Sequence, residues 1–272
     1  MTGTAQSFDG ERLLAAALDA CRRAGTIHRE HFRSAGLTVE RKADASPVTQ
    51  ADRGSEEAIR EALRRATPEL GLLGEEYGQE GDERDRWVID PLDATRNFVA
   101  GLPYFATLIG LELDGALVLG VVHAAGLDET WCAVRGAGAW AGRGTDPATC
   151  RARRLQVSAT ASVTDAFVQH GGLVHFQRNG LWPAVGELVA KAGRTRGFGD
   201  WWGHMLVAEG RCDAMVEGAV HYHDVAAIRP ILEEAGGVFR TRGGMPLGTG
   251  FHGPALSSNR NLADELTGLL GF

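Results

Sequence analysis

The residues with the clearest chemical potential are acids that fall at the ends of apolar runs. Trp87-Val88-Ile89 leads straight into Asp90, and Asp93 follows three positions later. Such a run reads as a buried strand, and Pro91 argues against continued pairing in the middle of a sheet. Two carboxylates leaving a buried strand together repel one another unless a cation joins them. Three other segments place acids at element ends: Thr49-Gln50-Ala51-Asp52, Gly74-Glu75-Glu76 and His223-Asp224. Hard divalent cations take oxygen ligands, and Mg2+ is usually held by a few carboxylates, waters and phosphate oxygens. A lone acid at a strand end is ordinarily just solvated, so the weight rests on Asp90 with Asp93. After them, Ala94-Thr95-Arg96-Asn97-Phe98 enters a helix with small residues, leaving backbone N–H groups for an anion; the alternative is a capping turn with Asp93 or Thr95 as cap.

Elements at the right places must carry these acids. Residues 9–34 read as a helix with Leu13, Leu14, Ala17, Leu18 and Cys21 at helical spacing, and residues 49–66 as a second helix. Leu37–Lys42 alternates as a short strand, and a turn-like stretch follows over Asp44–Thr49, with Pro47 as punctuation. Residues 70–74 and 86–90 are strands running into Glu75 and Asp90. Ala106–Leu113 and Ala116–Ala124 form a hairpin through Asp114-Gly115, and 129–134 and 138–141 add short strands. Residues 143–154 are polar and basic and read as a linker, with Arg151-Ala152-Arg153-Arg154 solvated. Beyond it, strands at 165–170 and 213–217 alternate with helices at 181–192, 201–209 and 224–235, the last closed by Gly236-Gly237. The pattern predicts an α+β domain over 1–145 and an α/β domain over 146–272 that completes the site.

Bulk properties narrow the partners. The 272 residues are 44% hydrophobic, enough to bury a sizeable core, and carry a net charge of −7 from 28 basic and 35 acidic residues. That balance argues against a nucleic-acid surface. No apolar run approaches the ~20 residues of a membrane helix, and the first residues lack the basic and apolar parts of a signal peptide. Cys21, Cys132, Cys150 and Cys212 show no metal-site spacing and read as reduced thiols. Together these predict a cytoplasmic protein with a small-molecule partner and no membrane or nucleic-acid partner.

Four ordered segments carry a resemblance. Asp90-Pro91-Leu92-Asp93-Ala94-Thr95-Arg96-Asn97-Phe98 resembles the DP(I/L)DGT-x-NF signature of the inositol monophosphatase family. Lys42-Ala43-Asp44-Ala45-Ser46-Pro47-Val48-Thr49-Gln50-Ala51-Asp52 is similar to its K-x-D-x-SPVT-x-AD segment, and Gly74-Glu75-Glu76 to its GEE. The stretch from His223-Asp224 to Glu234-Ala235-Gly236-Gly237 is similar to its WD-x-AA…EAGG helix. The resemblance implies a layered α-β-α-β-α sandwich, Mg2+-dependent hydrolysis of a phosphate monoester, two or three Mg2+ ions, and a homodimer. Residue by residue it implies metal ligands at Glu75, Asp90, Asp93 and Asp224 and at the Leu92 carbonyl. Asp52 and Thr95 match the pair that orients the attacking water, with Glu75 also catalytic, and the Ala94-Thr95 turn matches the phosphate-holding amides. In-line displacement on phosphorus needs positioning and charge neutralisation, so no Ser, Cys or His nucleophile is required.

Two positions depart from the family pattern. Ala94 replaces the signature glycine, which strains the chain by roughly 1 kcal/mol if φ is positive there. His223 replaces the tryptophan before the aspartate; packing or a substrate contact is preferred over metal ligation. For the substrate, Arg196-Gly197-Phe198-Gly199-Asp200 with Gly203-His204 resembles the histidinol-phosphate phosphatase branch. Asp200 and Glu217 would complement the ammonium and imidazole of L-histidinol phosphate, Trp201 or Trp202 would stack on the ring, and Asp93 and Asp224 would face the substrate too. The alternative is that Asp200 caps a helix and the tryptophans are core. Second in order is an inositol monophosphate, then a sugar or nucleotide phosphate; a non-catalytic phosphate- or metal-binding regulator is the rival from another class. His28, His31, His170, His175 and His252 read as surface or structural.

Overall fold

The structure, a computed structural model, describes residues 8–42 and 46–272. Asp44, part of both the turn and the motif above, lies outside the described residues, and the turn expected as far as Thr49 is replaced over Pro47–Thr49 by a strand paired with Val39–Arg41. The chain opens with helix α1 (Gly10–His31), the short hairpin β1 (Val39–Arg41) and β2 (Pro47–Thr49), and helix α2 (Gln50–Ala66). Then come β3 (Gly71–Gly74), β4 (Gly78–Glu80), β5 (Arg86–Asp93), the one-turn helix α3 (Thr95–Val99), β6 (Ala106–Leu113), β7 (Ala116–Ala124), β8 (Glu129–Val134) and β9 (Gly138–Arg143). Short helix α4 (Pro147–Cys150) leads to β10 (Arg153–Arg154), which closes an eight-stranded sheet of order β10-β9-β8-β7-β6-β5-β3-β4.

The second half holds β11 (Phe167–His170), α5 (Leu173–Arg178), α6 (Trp182–Lys191), β12 (Arg194–Arg196), α7 (Asp200–Ala208) and β13 (Ala214–His221). It ends with α8 (Tyr222–Ala226), α9 (Ile228–Glu234), β14 (Val238–Thr241), β15 (His252–Ser258) and α10 (Ala263–Leu270). Its sheet runs β12-β11-β13-β15-β14.

The central strands are apolar on both faces because both faces are covered. Trp87, Ile89, Ile109, Leu111, Leu119 and Val121 pack against α1 and α2. Their alternates Val88, Leu108, Val122 and Ala124 join Met205, Val225, Ile228, Ile231 and Ala255 in a second core. A third core sets Val168, Val216 and Leu256 against α5, α6 and α10. The layers are therefore α-β-α-β-α, as the resemblance implies.

The sequence reading of residues 143–154 as a solvated linker is corrected. Arg153 and Arg154 pair with Ala141 and Trp140 as an added strand. Arg151 donates to Glu11 (2.8 Å), Arg153 to the largely covered carboxylate of Glu209 (2.6 Å), and the Arg154 guanidinium lies over the Trp140 ring. The expected single helix at 224–235 is two helices meeting at Ala227. Their junction lies directly on the large sheet, over a cross-strand pair of glycines, Gly110 and Gly120. A Cβ on Gly120 would stand 2.0 Å from the Ala227 carbonyl oxygen, so only glycine admits this approach. It is this approach that brings Asp224 to the end of β5. Among the described residues, no helix is long and apolar enough to cross a membrane.

Candidate active site

β5 does not stop at Asp90, as Pro91 suggested. It continues to Asp93 through a register shift: Asp90 pairs with Leu108, and the next pairing is Asp93 with Ala106. The irregularity absorbs Pro91, which has no N–H to donate, and turns two carboxylates out of one strand end. Asp90 is 1% exposed and accepts the Leu92 amide at 3.0 Å. Asp93 accepts the Ala94 amide (2.8 Å) on one oxygen and the Trp201 amide (2.9 Å) on the other, tying β5 to the start of α7.

Glu75 follows β3, parallel to β5. Its loop is clamped from α2, where the buried Glu56 carboxylate accepts the amides of Glu76 (2.7 Å) and Tyr77 (3.2 Å) and pairs with Arg60. Asp224, in the first turn of α8, accepts the His221 amide at 2.7 Å. Two groups at metal-ligand spacing result among the described residues. Asp90, Asp93 and Asp224 bring ligand oxygens within 4.8 Å of one another, and Glu75, Asp90 and His223 do the same with two oxygens and a nitrogen.

Burial first, then Glu75, Asp93 and Asp224, pushes Asp90 well above the usual carboxylate range. Burial, then Asp200 and Asp224, does the same to Asp93. Such a cluster has the donor chemistry of a hard divalent-cation site: clustered carboxylate oxygens, partly desolvated and short of positive charge. Lys42 places its ammonium 2.6 Å from the Glu75 carboxylate and is also bonded to Glu76.

The expected water-orienting pair is in contact. Thr95 Oγ1 lies 2.9 Å from Asp52 Oδ1 and 2.9 Å from the Leu92 carbonyl. Asp52 sits in the first turn of α2, and its other oxygen accepts both the amide (2.7 Å) and the hydroxyl (2.6 Å) of Thr49. Ala94 has φ 65°, in the left-handed region, and its amide is engaged by Asp93. Ala94→Gly is therefore expected to stabilise the fold by about 0.5–1 kcal/mol, the relief of left-handed strain exceeding the added chain entropy of glycine. Denaturant titration checks it; a loss of stability would show that the backbone carries no strain there.

A cavity of about 240 Å³ opens beside the cluster and is lined by Asp93, Arg96, His175, Asp200, Glu217 and Asp224, among others. Asp200 does not cap α7: its φ is 51°, its carboxylate takes a 3.3 Å bond from Asn97, and its amide donates to Glu217 at 3.1 Å. Burial and Asp224 raise Asp200 to about 6. Glu217, 5% exposed on β13, is pushed well up by burial and then Asp200. Its space exists because residue 171 is glycine; a Cβ there would lie 1.7 Å from Glu217 Oε2. Trp201 touches the cavity but is 1% exposed, its ring tilted against Trp131, while Trp202 stacks on Tyr104 outside it. Neither ring is an open stacking platform in this conformation.

The sequence reading overlooked Glu56, Lys42, Arg96 and His175 as parts of the site. Arg96 was visible inside the signature as the lone cation beside the acids. His175 had no local signal, because α5 reaches the cavity only through the second sheet.

This fold and site define a phosphoric monoester hydrolase. The chain belongs to the inositol monophosphatase family, whose model matches residues 9–270. It is 40% identical to a histidinol-phosphatase of Streptomyces coelicolor over 89% of this chain and 90% of that protein. It is 38% identical to a histidinol-phosphatase of Mycobacterium tuberculosis, covering 92% and 94%. Among solved structures, an inositol monophosphatase from Zymomonas mobilis superposes with a TM-score of 0.83 at 30% identity, covering 98% of this chain and all of that one.

Proposed function

We propose that the protein hydrolyses L-histidinol phosphate to L-histidinol and phosphate, with two or three Mg2+ ions held by Glu75, Asp90, Asp93, Asp224 and the Leu92 carbonyl. Bound there, Mg2+ supplies charge neutralisation to the phosphoryl oxygens and the leaving oxygen, and a lower pKa for water. Thr95 donates its hydroxyl proton to Asp52 and keeps lone pairs with which to hold the attacking water. Arg96 lines the cavity with Asp93, where its guanidinium would meet the phosphate group, while the Ala94 amide is taken up by Asp93.

The observation that carries the substrate is the pair Asp200 and Glu217. Both line the cavity, yet among the described residues neither belongs to a ligand-distance acid group. Glu217 is buried while Asp200 stands exposed at the cavity wall; a buried carboxylate without a cation is costly, and the ammonium and imidazolium of histidinol phosphate would each supply a cation to this pair. The names of the relatives point the same way. The test is phosphate release with Mg2+ from histidinol phosphate and from inositol 1-phosphate. We expect a clear preference for the first. Glu217→Gln should lower kcat/KM for histidinol phosphate by about 10- to 100-fold, the worth of one charge-assisted hydrogen bond, and affect inositol phosphate much less. Preference for inositol phosphate, or an equal loss on both esters, would remove the role given to Glu217 and Asp200.

A further inference from the structure

His223 stands where the family pattern has tryptophan, and the geometry gives that change a chemistry. Its Nε2 lies 3.2 Å from Asp224 Oδ1 and 4.0 Å from Glu75 Oε1. With Glu75 and Asp90 it forms one of the two ligand-distance groups; Asp90, Asp93 and Asp224 form the other, sharing Asp90. Donors around one six-coordinate ion at about 2.1 Å lie roughly 3 to 4 Å apart, so a small adjustment suffices for one ion. The ring is also held in place. His221 lies parallel to it, with centroids 5.3 Å apart and planes at 8°, and His252 stacks on His221 at 4.3 Å. His223 remains 22% exposed, open to an entering ion.

We propose that His223 is a nitrogen ligand which makes the Glu75–Asp90–His223 position favour Mn2+ or Co2+ over Mg2+, while the all-oxygen position of Asp90, Asp93 and Asp224 remains suited to Mg2+. The inference rests on the metal-dependent phosphatase reading. Mg2+ takes oxygen ligands and yields little to an imidazole, whereas affinity for nitrogen rises along the first transition row. Ligation needs the Nε2 lone pair, which places the ring proton on Nδ1. An ion at this position takes over the Glu75 oxygen now bonded by Lys42, and Glu76 remains as the lysine's partner.

Pulsed electron paramagnetic resonance on the full chain with Mn2+ and no substrate reads the ligand directly. Wild type should show 14N coupling of a bound imidazole, replaced by 15N coupling after labelling with 15N-histidine. His223→Trp, and His223→Gln run beside it should the indole fail to pack, should lose the coupling, while His221→Asn keeps it. Both His223 variants should also weaken Mn2+ and Co2+ binding relative to Mg2+ by about tenfold or more. Failure of wild type to bind Mn2+, absence of nitrogen coupling, or its survival in the His223 variants would overturn the proposal. None of those results touches Mg2+-dependent phosphate release, whose absence on every ester would instead defeat the phosphatase reading itself.

Discussion

Asp90→Asn is expected to lower turnover by at least about 10³-fold, to leave the chain folded, and to raise the melting temperature of the metal-free protein. Metal-assisted charge stabilisation in such displacements is worth several kcal/mol, and each 1.36 kcal/mol is a factor of ten. Asp90 belongs to both ligand-distance groups, so its loss disturbs both. The amide keeps an oxygen for the Leu92 N–H and fills the same volume, so the core around β5 is preserved. The stability change follows from the sign of the carboxylate's shift. Burial and its acidic neighbours raise the folded-state value of Asp90. The metal-free wild type therefore loses stability as pH rises from the unfolded carboxylate value, about 4, through the folded one, and stays depressed above it. Asparagine carries no such penalty. With Mg2+ the order reverses, because only the intact site gains binding energy, about 2.7 kcal/mol at a hundredfold excess over Kd. Thermal melts with and without Mg2+, beside phosphate release, check all three points. Near-normal turnover of the variant in Mg2+, or a metal-free variant less stable than wild type, would contradict the account.

The legibility of this site followed the range of the forces that built it. Asp90 and Asp93 could be read because an apolar run, a proline and paired acids are neighbours in sequence. The hairpin of β6 and β7 was equally local, turning at Asp114-Gly115, where Gly115 takes a positive φ. By contrast, the approach of Asp224 to Asp90 depends on Gly110 and Gly120 making room for Ala226 and Ala227, a long-range fit that no window of sequence contains. The strands β12, β14 and β15 were not anticipated either; β12 and β14 are short edge strands with charged residues, and such segments resemble loops until a neighbour pairs with them. The basic run 151–154 misled for a related reason. Its charge suggested solvent, but its partners Glu11 and Glu209 are distant in sequence. His175 and His252, which read as surface or structural, sit at the cavity and in the histidine stack, contacts set by the same long-range packing.

The turn at Gly199-Asp200-Trp201 joins the halves chemically. One amide of this turn goes to Asp93 on the large sheet and the adjacent one to Glu217 on the small sheet. A movement of α7 therefore shifts an acid of the cation cluster and an acid of the substrate cavity together. Under the proposed assignment, selectivity and catalysis share one positioning element, although Asp200 and Glu217 lie outside the ligand groups.

The second large effect is expected at Thr95 and Asp52, as a unit. Thr95 has one hydroxyl proton and two acceptors within 2.9 Å, Asp52 and the Leu92 carbonyl. The Leu92 carbonyl is in the proposed metal set, which leaves Asp52 as the standing acceptor. In Asp52→Asn, the oxygen that accepts both the amide and the hydroxyl of Thr49 must remain an oxygen. The new NH2 group then faces Thr95 and donates to it, reversing the bond that fixed the direction of the threonine proton. Thr95→Val removes the hydroxyl outright, and Thr95→Ser keeps it. We expect losses of about 10²- to 10⁴-fold in kcat for Asp52→Asn and Thr95→Val, as for removal of a positioned proton acceptor, with Thr95→Ser close to wild type. The double variant should be scarcely worse than either single one, because groups acting on one water fail together. Steady-state kinetics of wild type and the four variants at saturating Mg2+ decide it. Additive losses would mean that the two side chains act separately and would remove the basis for assigning them to a single water.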